Sequence, residues 1–328
     1  MSVLVTGGAG YIGSHTVAEL LAQGEDVIVL DNLQKGHSQA VLANKFYVGD
    51  IRDSDVLDTI FSVHDIEAVI HFAADSLVGE SVQEPLKYYD NNVIAAQRLL
   101  TKMNQYGVKK IVFSSTAATY GEPKNIPIRE DDSTEPTSPY GETKLAIEKM
   151  MKWCDNAYGI KYVSLRYFNA AGAHSDGHIG EDHTPESHLI PIVLQVALGQ
   201  RQAVSIFGDD YSTEDGTCIR DYIHVMDLAN AHWLALKRLR EKNESGIFNL
   251  GNGTGFSVRE VISKAREVTG HPIPANVGPR REGDPAVLIA SSEKAKRELG
   301  WQPGFESLEE IIRSAWNWHK THPNGYDK

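Results

Sequence analysis

Short apolar runs alternate with amphipathic stretches along the first half of the chain. The runs are rich in β-branched residues and most are apolar throughout, which is typical of parallel strands covered on both faces. They occupy Val3–Val5, Val27–Leu30, Phe46–Val48, Ala68–Phe72, Ile111–Ser114 and Val163–Arg166. Helical spacing marks the segments between them, which include His15–Leu21, Val93–Met103 and Tyr140–Trp153. This alternation predicts an α/β fold built on a Rossmann-type doubly wound parallel sheet.

The regular alternation of predicted strands and helices ends after about Asn169. Residues 170–188 are rich in Gly, His, Asp and Pro and are predicted to form a long loop. Beyond it we expect a helix, a strand, a second helix and a second strand at about Ile190–Leu198, Val204–Phe207, Asp221–Leu239 and Ile247–Leu250. Two capping boxes mark later helices, Ser257 with Glu260 and Ser307 with Glu310.

These elements predict two domains of unequal size. The larger, dinucleotide-binding domain is expected to span residues 1–169, with a return segment at about 218–250 that contributes a strand to the main sheet. The smaller, interleaved α+β C-terminal domain is expected to consist of residues 170–217 and 251–328 and to bind the substrate.

Charge and composition narrow the class of partner. A net charge of −12 over 328 residues argues against nucleic acid, because a phosphate backbone requires a basic surface. No apolar run approaches the ~20 residues needed to cross a bilayer, and Met1 leads directly into a strand with no basic region or cleavage site. Two cysteines, Cys154 and Cys218, make no disulfide framework. We therefore expect a cytoplasmic enzyme with no membrane partner.

A glycine-rich turn, GGAGYIG, follows the first predicted strand and opens a helix at Gly7–Gly13. Glycines in this context permit a tight turn and a close approach of the backbone to a pyrophosphate, which then lies at a helix N-terminus. Asp31 ends the second predicted strand, where a carboxylate accepts hydrogen bonds from ribose hydroxyls and repels a 2′-phosphate. The pair of features predicts NAD rather than NADP.

A second motif is typical of hydride-transfer sites. Ser138 and Pro139 suit the N-cap and first position of a helix, and Tyr140 and Lys144 then lie four residues apart on one face. A nearby ammonium favours phenolate, so Tyr140 is expected to act as a base well below its usual pKa of about 10. A strand end rich in hydroxyl groups, FSSTAATYG, precedes this helix.

Together these motifs resemble the extended branch of the short-chain dehydrogenase/reductase superfamily, whose glycine spacing matches Gly7, Gly10 and Gly13. The resemblance implies catalytic roles for Tyr140 and Lys144, and for Thr116 as the hydroxyl that contacts the reacting oxygen. It implies that NAD is bound by Gly7, Gly10, Tyr11, Ile12, Gly13, Asp31, Asn32, Asp50, Ile51, Phe72, Ala73, Ala74, Asn91, Tyr140, Lys144 and Phe168.

Within this branch, the residues beside Thr116 separate the reactions. Dehydratases carry an Asp-Glu pair there and decarboxylases a nearby Glu, whereas this chain has Ala117-Ala118. Without an added acid or base, only oxidation and reduction at a carbinol remain.

The chain resembles the UDP-glucose 4-epimerase family from end to end, in segments such as VGESVQEPLKYYDNNV, SPYGETKLAIE, RYFNAAGAH, FGDDYSTEDGTCIRDYIHVMDLA and PRREGDPA. The resemblance implies that Tyr140 takes the proton of the sugar 4-hydroxyl while C4 gives hydride to NAD. The 4-keto sugar then rotates about its bond to the diphosphate, and the hydride returns to the other face of C4.

The same resemblance implies a UDP-sugar site. Arg220 and Arg281 are expected to clamp the diphosphate. The substrate contacts implied are Thr116, Tyr140, Asn169, His188, Leu189, Phe207, Arg220, Tyr222, Arg281, Asp284 and Leu288.

Three positions depart from the family pattern. Ser76 replaces a lysine near the cofactor, which loosens the expected hold on NAD, and His188 replaces an asparagine near the uracil or phosphate. Leu288 stands where a larger tyrosine excludes N-acetylated sugars in some relatives, so epimerisation of UDP-N-acetylglucosamine is a further hypothesis.

Other interpretations stay open at this point. The loop with His174, His178, Glu181, Asp182, His183 and His188 has no standard metal-ligand spacing, and we expect substrate-loop residues and no metal. Another nucleotide-sugar 4-epimerase, acting on a uronate or a pentose, is the alternative enzyme. A non-catalytic NAD-binding regulator is the alternative from another class. The resemblance implies a homodimer through the predicted helices at Val93–Met103 and Tyr140–Trp153.

Overall fold

The computed structural model describes residues 1–281 and 284–326. Glu282 and Gly283 of the PRREGDPA segment, and the last two residues of the predicted substrate domain, lie outside the described residues. The strands of the chain are β1 Ser2–Thr6, β2 Val27–Asp31, β3 Lys45–Val48, β4 Ile66–His71, β5 Lys110–Ser114, β6 Lys161–Tyr167, β7 Asn169–Ala171, β8 Val204–Phe207, β9 Ile219–His224, β10 Gly246–Leu250, β11 Gly255–Ser257, β12 Ala275–Gly278 and β13 Val287–Leu288.

The helices follow the predicted pattern closely. They are α1 Tyr11–Ala22, α2 Ser54–Val63, α3 Val78–Gln83, α4 Pro85–Tyr88, α5 Ala95–Gln105, α6 Pro139–Tyr158, α7 Leu189–Ala197, α8 Val225–Glu241, α9 Val258–Thr269, α10 Glu293–Leu299 and α11 Leu308–Thr321. A π-helical segment, Tyr89–Ile94, joins α4 to α5, and 3₁₀ turns occupy Ser38–Ala40 and Ala117–Thr119. Both predicted capping boxes are present, at the starts of α9 and α11.

Seven parallel strands form the main sheet in the order β10-β6-β5-β4-β1-β2-β3. The order reverses direction between β1 and β4, so the loops after these two strands open a crevice at the carboxyl edge. One apolar layer, with side chains of α1, α8 and α10, covers one face of the sheet, and a second, from α2, α5 and α6, covers the other. The predicted doubly wound α/β fold is confirmed.

The smaller part of the chain packs around a third apolar cluster from α7, α9 and α11. Its sheet runs β11-β9-β13 with β7 also paired to β9, and β8 and β12 form a separate parallel pair. Within the predicted return segment, β10 pairs with β6 of the main sheet, whereas β9 pairs with strands of the smaller sheet.

One predicted element was wrong. Asp221–Leu239 was expected to be a single helix, but its first four residues belong to β9 and the helix begins at Val225. Pairing of these residues with β7 and, at Asp221, with β11 overrides local helical preference. The His224 ring accepts a hydrogen bond from Met226 N at 3.1 Å, which caps the new helix start.

Among the helices of residues 1–281 and 284–326, none combines the length and the apolar character that a membrane span requires.

Candidate active site

The glycine turn connects β1 to α1 by a path that excludes side chains. Gly7 has φ +75°, and a Cβ there would lie 2.6 Å from Ala73 N, while a Cβ on Gly13 would lie 2.1 Å from Gly7 O. Gly10 is the N-cap of α1 and brings no capping side chain of its own. The first N–H groups of α1 therefore remain able to bind an anion, which fits the pyrophosphate of a dinucleotide.

Asp31 lies at the carboxyl end of β2 and is held by backbone N–H groups. Its carboxylate accepts hydrogen bonds from Ala9 N at 3.0 Å and from Leu33 N at 2.8 Å. Burial raises the pKa of this carboxyl, and the two N–H groups oppose that rise. The fixed carboxylate therefore stands beside the glycine turn, as its predicted contact with a ribose requires.

The neighbouring edge of the crevice carries Asn32, Asp50 and Ile51. Asn32 Nδ2 donates to Asp50 Oδ2 at 3.0 Å, and Ile51 is buried. The Arg52 guanidinium holds the pKa of the Asp50 carboxyl well below its usual range. An ionised, immobilised carboxylate and an apolar side chain thus lie next to each other after β3.

The loop after β4 is tied to the end of β1. Phe72 N and Ala73 N both donate to Thr6 O, at 2.9 and 3.1 Å, which brings Phe72, Ala73 and Ala74 against the glycine turn. The predicted supporting residue Asn91 hydrogen-bonds the Asp75 side chain, so it contacts the loop that continues from these residues.

Helix α6 presents Tyr140 and Lys144 as the sequence predicts. Ser138 Oγ accepts from Gly141 N at 3.2 Å and Pro139 occupies the first turn. Lys144 is buried, with Nζ 5.9 Å from the centre of the Tyr140 ring, and it donates to Ser114 O at 2.9 Å. The carbonyl at the end of β5 therefore fixes the ammonium beside the phenol.

The predicted acidity of Tyr140 needs correction. Burial raises the pKa of the phenol, and a hydrogen bond from Thr116 opposes the rise. Burial also lowers the pKa of the Lys144 ammonium to about 7, although the Glu148 carboxylate opposes this. Without a cofactor, loss of solvation therefore outweighs the attraction between the two side chains that the helical spacing suggested.

Thr116 is the hydroxyl of the FSSTAATYG segment that contacts Tyr140. It caps the 3₁₀ turn Ala117–Thr119, because its Oγ1 accepts from Ala118 N at 3.2 Å. The other hydroxyls of this segment have structural partners. Ser114 pairs with Tyr167 Oη at 2.5 Å, Ser115 donates to Glu148 at 2.6 Å, and Thr119 donates to Thr116 O at 2.9 Å.

Sequence reasoning missed a buried polar layer beneath these residues. Glu148 accepts from Arg166 Nε at 3.0 Å and Nη2 at 2.6 Å, and both side chains are at most 4% exposed. Asn92 bonds the backbone of Asp75 in both directions and donates to Thr143 Oγ1 at 3.1 Å. The position of Glu148, four residues after Lys144 on α6, is the signal that could have revealed the first group.

The substrate candidates gather around β9. Tyr222 of β9 stands opposite Asn169 of β7, and Leu288 of β13 stands opposite Arg220 of β9. Phe168 links β6 to β7, so it carries the chain from the main sheet to this group.

The two candidate diphosphate ligands have partners within the protein. Arg220 forms an ion pair with Asp284 and donates to Ile219 O at 2.7 Å, while the Arg281 guanidinium lies 3.9 Å from the centre of the Phe207 ring. Each of the two side chains is therefore held by a contact within the protein.

Helix α7 carries the remaining candidates at its N-terminus. His188 is the N-cap and Leu189 the first helical residue. His188 Nδ1 lies 3.0 Å from Glu186 Oε1 and 2.9 Å from Glu181 Oε1, so its ring is anchored to the preceding loop.

Known proteins share both the sequence and the architecture. The sequence profile of the NAD dependent epimerase/dehydratase family matches residues 3–251. A UDP-glucose 4-epimerase of Halalkalibacterium halodurans is 71% identical over 326 residues, which cover 99% of this chain and 98% of that protein.

Two solved structures extend the similarity to three dimensions. A crystal structure of a UDP-glucose 4-epimerase has a TM-score of 0.98 at 58% identity, with 100% of both chains covered. The Bifidobacterium longum UDP-glucose 4-epimerase, in complex with NAD⁺ and UDP, has a TM-score of 0.93 at 42% identity, with 99% of this chain and 100% of that chain covered.

Proposed function

The chain belongs to the NAD dependent epimerase/dehydratase family, and on that premise we propose that it is a UDP-glucose 4-epimerase that interconverts UDP-glucose and UDP-galactose. The observation that carries the proposal is the environment of Tyr140. This tyrosine is accompanied by Lys144 and Thr116, and Ala117 and Ala118 follow where an acid would be needed for elimination. With NAD as the hydride acceptor and donor, oxidation at C4 followed by reduction of the same carbon requires only these three polar groups from the protein.

NAD fits the crevice described above. The turn packs too closely for a Cβ at Gly7 or Gly13 and holds the uncapped start of α1 in place, and Asp31 provides a fixed carboxylate for the adenosine ribose. Bound NAD would supply the hydride acceptor for sugar C4 and, once reduced, the hydride donor, and the positive charge of its oxidised ring would favour the phenolate of Tyr140. Asp31 would repel a 2′-phosphate, which supports NAD over NADP.

The residues of the chain supply proton transfer and orientation. Tyr140 takes the proton of the 4-hydroxyl and later returns it, while Thr116 hydrogen-bonds the reacting oxygen and Lys144 holds positive charge close to the phenol. Arg220 and Arg281 hold the diphosphate, which keeps the nucleotide fixed while the 4-keto sugar rotates. The configuration at C4 is inverted because the hydride and the proton are returned to the opposite face of the sugar.

The size of the Leu288 side chain, which lies beside Arg220, is expected to determine which sugars the site accepts. Leu288 is smaller than tyrosine and lies on β13 opposite Arg220. We therefore extend the proposal to UDP-N-acetylglucosamine. The complete set of Tyr140, Lys144 and Thr116 gives no support to a non-catalytic regulator.

We also propose a cytoplasmic homodimer. Trp153 on α6 is 72% exposed and Ile94, just before α5, is 43% exposed, so the two helices named by the family resemblance carry apolar side chains that a partner would cover. Light scattering should give twice the mass of the chain, and the W153R variant should shift that mass toward one chain. UDP-sugars and NAD are cytoplasmic metabolites, which supports the proposed location.

The proposed activity is tested by incubating the purified protein with UDP-galactose, with and without added NAD, and measuring UDP-glucose. The wild type should convert the substrate to an equilibrium mixture, and the Y140F variant should lose about 10²–10⁴-fold in rate because it has no proton to exchange. Y158F, at the exposed end of the same helix, is the matched control and should retain the rate. No conversion with excess NAD would refute the proposal.

A further inference from the structure

Four potential metal ligands meet at the end of the loop between β7 and α7. They are Glu181, His183, Glu186 and His188, and one donor atom from each lies within 4.8 Å of all the others. The carboxylates of Glu181 and Glu186 are only 4% exposed, although each carries a charge that costs much to bury without a partner. The proposed active site makes no use of Glu181, His183 or Glu186.

The distances from His183 to the two carboxylates are close to the edges of a tetrahedral coordination shell. His183 Nδ1 lies 3.2 Å from Glu181 Oε1 and 3.7 Å from Glu186 Oε2, and His188 Nδ1 lies 2.9 Å and 3.0 Å from an oxygen of each. Ligands bound to zinc at about 2.0–2.2 Å in a tetrahedron stand about 3.3–3.6 Å from one another. The two separations from His183 lie close to that range, whereas the two from His188 are shorter, and its contact with Glu186 Oε1 is a hydrogen bond. Both rings turn the same nitrogen inward.

One of these nitrogens is not accounted for by hydrogen bonding. His183 Nδ1 is buried, and among the described residues it has no hydrogen-bond partner of acceptable geometry, although the Glu181 oxygen is close. A buried ring nitrogen that faces carboxylates out of hydrogen-bond alignment is expected when the lone pair is directed to an ion between them. Imidazole nitrogens also favour Zn²⁺ over Mg²⁺ or Ca²⁺, which prefer oxygen ligands.

The charges of the four side chains also favour a divalent cation. Two carboxylates and two neutral imidazoles carry a total charge of −2, which one divalent cation neutralises. We propose that Glu181, His183, Glu186 and His188 form a structural zinc site that fixes the end of this loop to the N-terminus of α7. This reverses the expectation from the sequence, because spacing along the chain did not show that the four side chains converge.

The site has a consequence for the substrate half of the crevice. Coordination through Nδ1 leaves Nε2 of the half-exposed His188 ring free for the substrate contact proposed above. The ring of Tyr11, on the glycine turn, lies edge-on to His183 with centroids 6.1 Å apart. The ion would therefore hold the loop against the dinucleotide turn without taking part in hydride transfer.

Two protons are the competing occupants of the site. Burial lowers the pKa of each ring, but the Glu181 and Glu186 carboxylates together outweigh it and raise the pKa of His183 to about 9 and that of His188 to about 10. Protonated rings repel Zn²⁺, so the two states are mutually exclusive and a metal analysis separates them.

The test measures the metal content of the full-length protein. The protein is purified without a chelator or an affinity metal. Any bound metal is then stripped with a strong chelator, and the protein is dialysed against Zn²⁺. We expect about one zinc per chain by mass spectrometry, and less than a tenth of that in E181Q and H183N. H178N is the matched control, because His178 belongs to a neighbouring, more exposed group with His174 and Asp176 and should leave the zinc in place. Loss of zinc in H178N but not in H183N would overturn the assignment.

A second measurement needs no variant. Absorption-edge spectroscopy of the zinc-loaded wild type should show four ligands, two nitrogen and two oxygen, at about 2.0–2.2 Å. Sub-stoichiometric zinc in the wild type at neutral pH, or a shell dominated by water, would refute the site and favour the doubly protonated histidine pair. Either result is independent of epimerase activity.

Discussion

Removing the charge of Glu148 should destabilise the protein strongly, although Glu148 contacts neither proposed ligand. The carboxylate is buried under α6 and accepts three side-chain hydrogen bonds, from Arg166 Nε, Arg166 Nη2 and Ser115 Oγ. Arg166 is equally buried, and within the described part of the chain its Nη1 has no hydrogen-bond partner. The guanidinium therefore depends on Glu148 and on the face of the Tyr120 ring, 4.8 Å away.

The magnitude follows from the charge that the E148Q variant leaves behind. Breaking a buried ion pair from one side costs about 3–5 kcal/mol, because the remaining charge stays buried and uncompensated. With an unfolding entropy of about 2.1 cal/mol/K per residue over 328 residues, this loss lowers the melting temperature by about 4–7 °C. Replacing both partners by apolar residues, as E148L with R166M, should recover much of the loss.

Urea unfolding followed by circular dichroism measures the effect. The matched control is E309Q, which breaks the ion pair of Glu309 with Arg313 on the surface of α11, where both side chains are about half exposed. This control should change the free energy of unfolding by less than about 0.5 kcal/mol. A loss in E148Q as small as that in E309Q, with an unchanged urea dependence, would show that the buried pair does not support the site.

Three further outcomes are expected. G13A places a Cβ against Gly7 O and should abolish NAD binding in a fluorescence titration, whereas G79A, where a Cβ meets nothing within 4 Å, should bind NAD normally. Burial lowers the pKa of Lys144 from 10.5 to about 7, so the unfolded chain binds more protons between these values. The stability of the wild type should therefore rise relative to K144M as the pH increases from 7 to 10, and parallel curves would contradict the shift. L288Y should reduce turnover of UDP-N-acetylglucosamine more than turnover of UDP-galactose, and equal loss of both would refute the proposed role in sugar size.

The main sheet could be predicted from sequence because its strands are apolar on both faces and its helices are amphipathic. Each of the first six predicted strands lies at its place in the structure, within a residue or two at the ends. The segment from Asp221 to His224 was not predictable in this way. Its strand character comes from pairing with β7, and at Asp221 with β11, both of which lie far away along the chain.

In the candidate site too, the features that depend on neighbouring residues were predictable and those that depend on the whole fold were not. Local motifs predict which side chains of the glycine turn and of α6 point into the crevice, because turn and helix geometry depend on neighbouring residues. The spacing of Tyr140 and Lys144 did not predict the pKa of the phenol. The spacing suggested a lowered pKa, whereas burial raises it. The meeting of Glu181 with His188 likewise depends on how the loop folds back, and no regular period in the sequence encodes that path.

The central claim is that the hydride removed from C4 returns to the same carbon. It is tested most directly with UDP-galactose that carries deuterium at C4 of the sugar, incubated with the purified protein and followed by mass spectrometry and NMR. The account predicts UDP-glucose that retains the deuterium at C4, with none in solvent or in added free NADH. Product that has lost the label to water or to exchanged cofactor would contradict it.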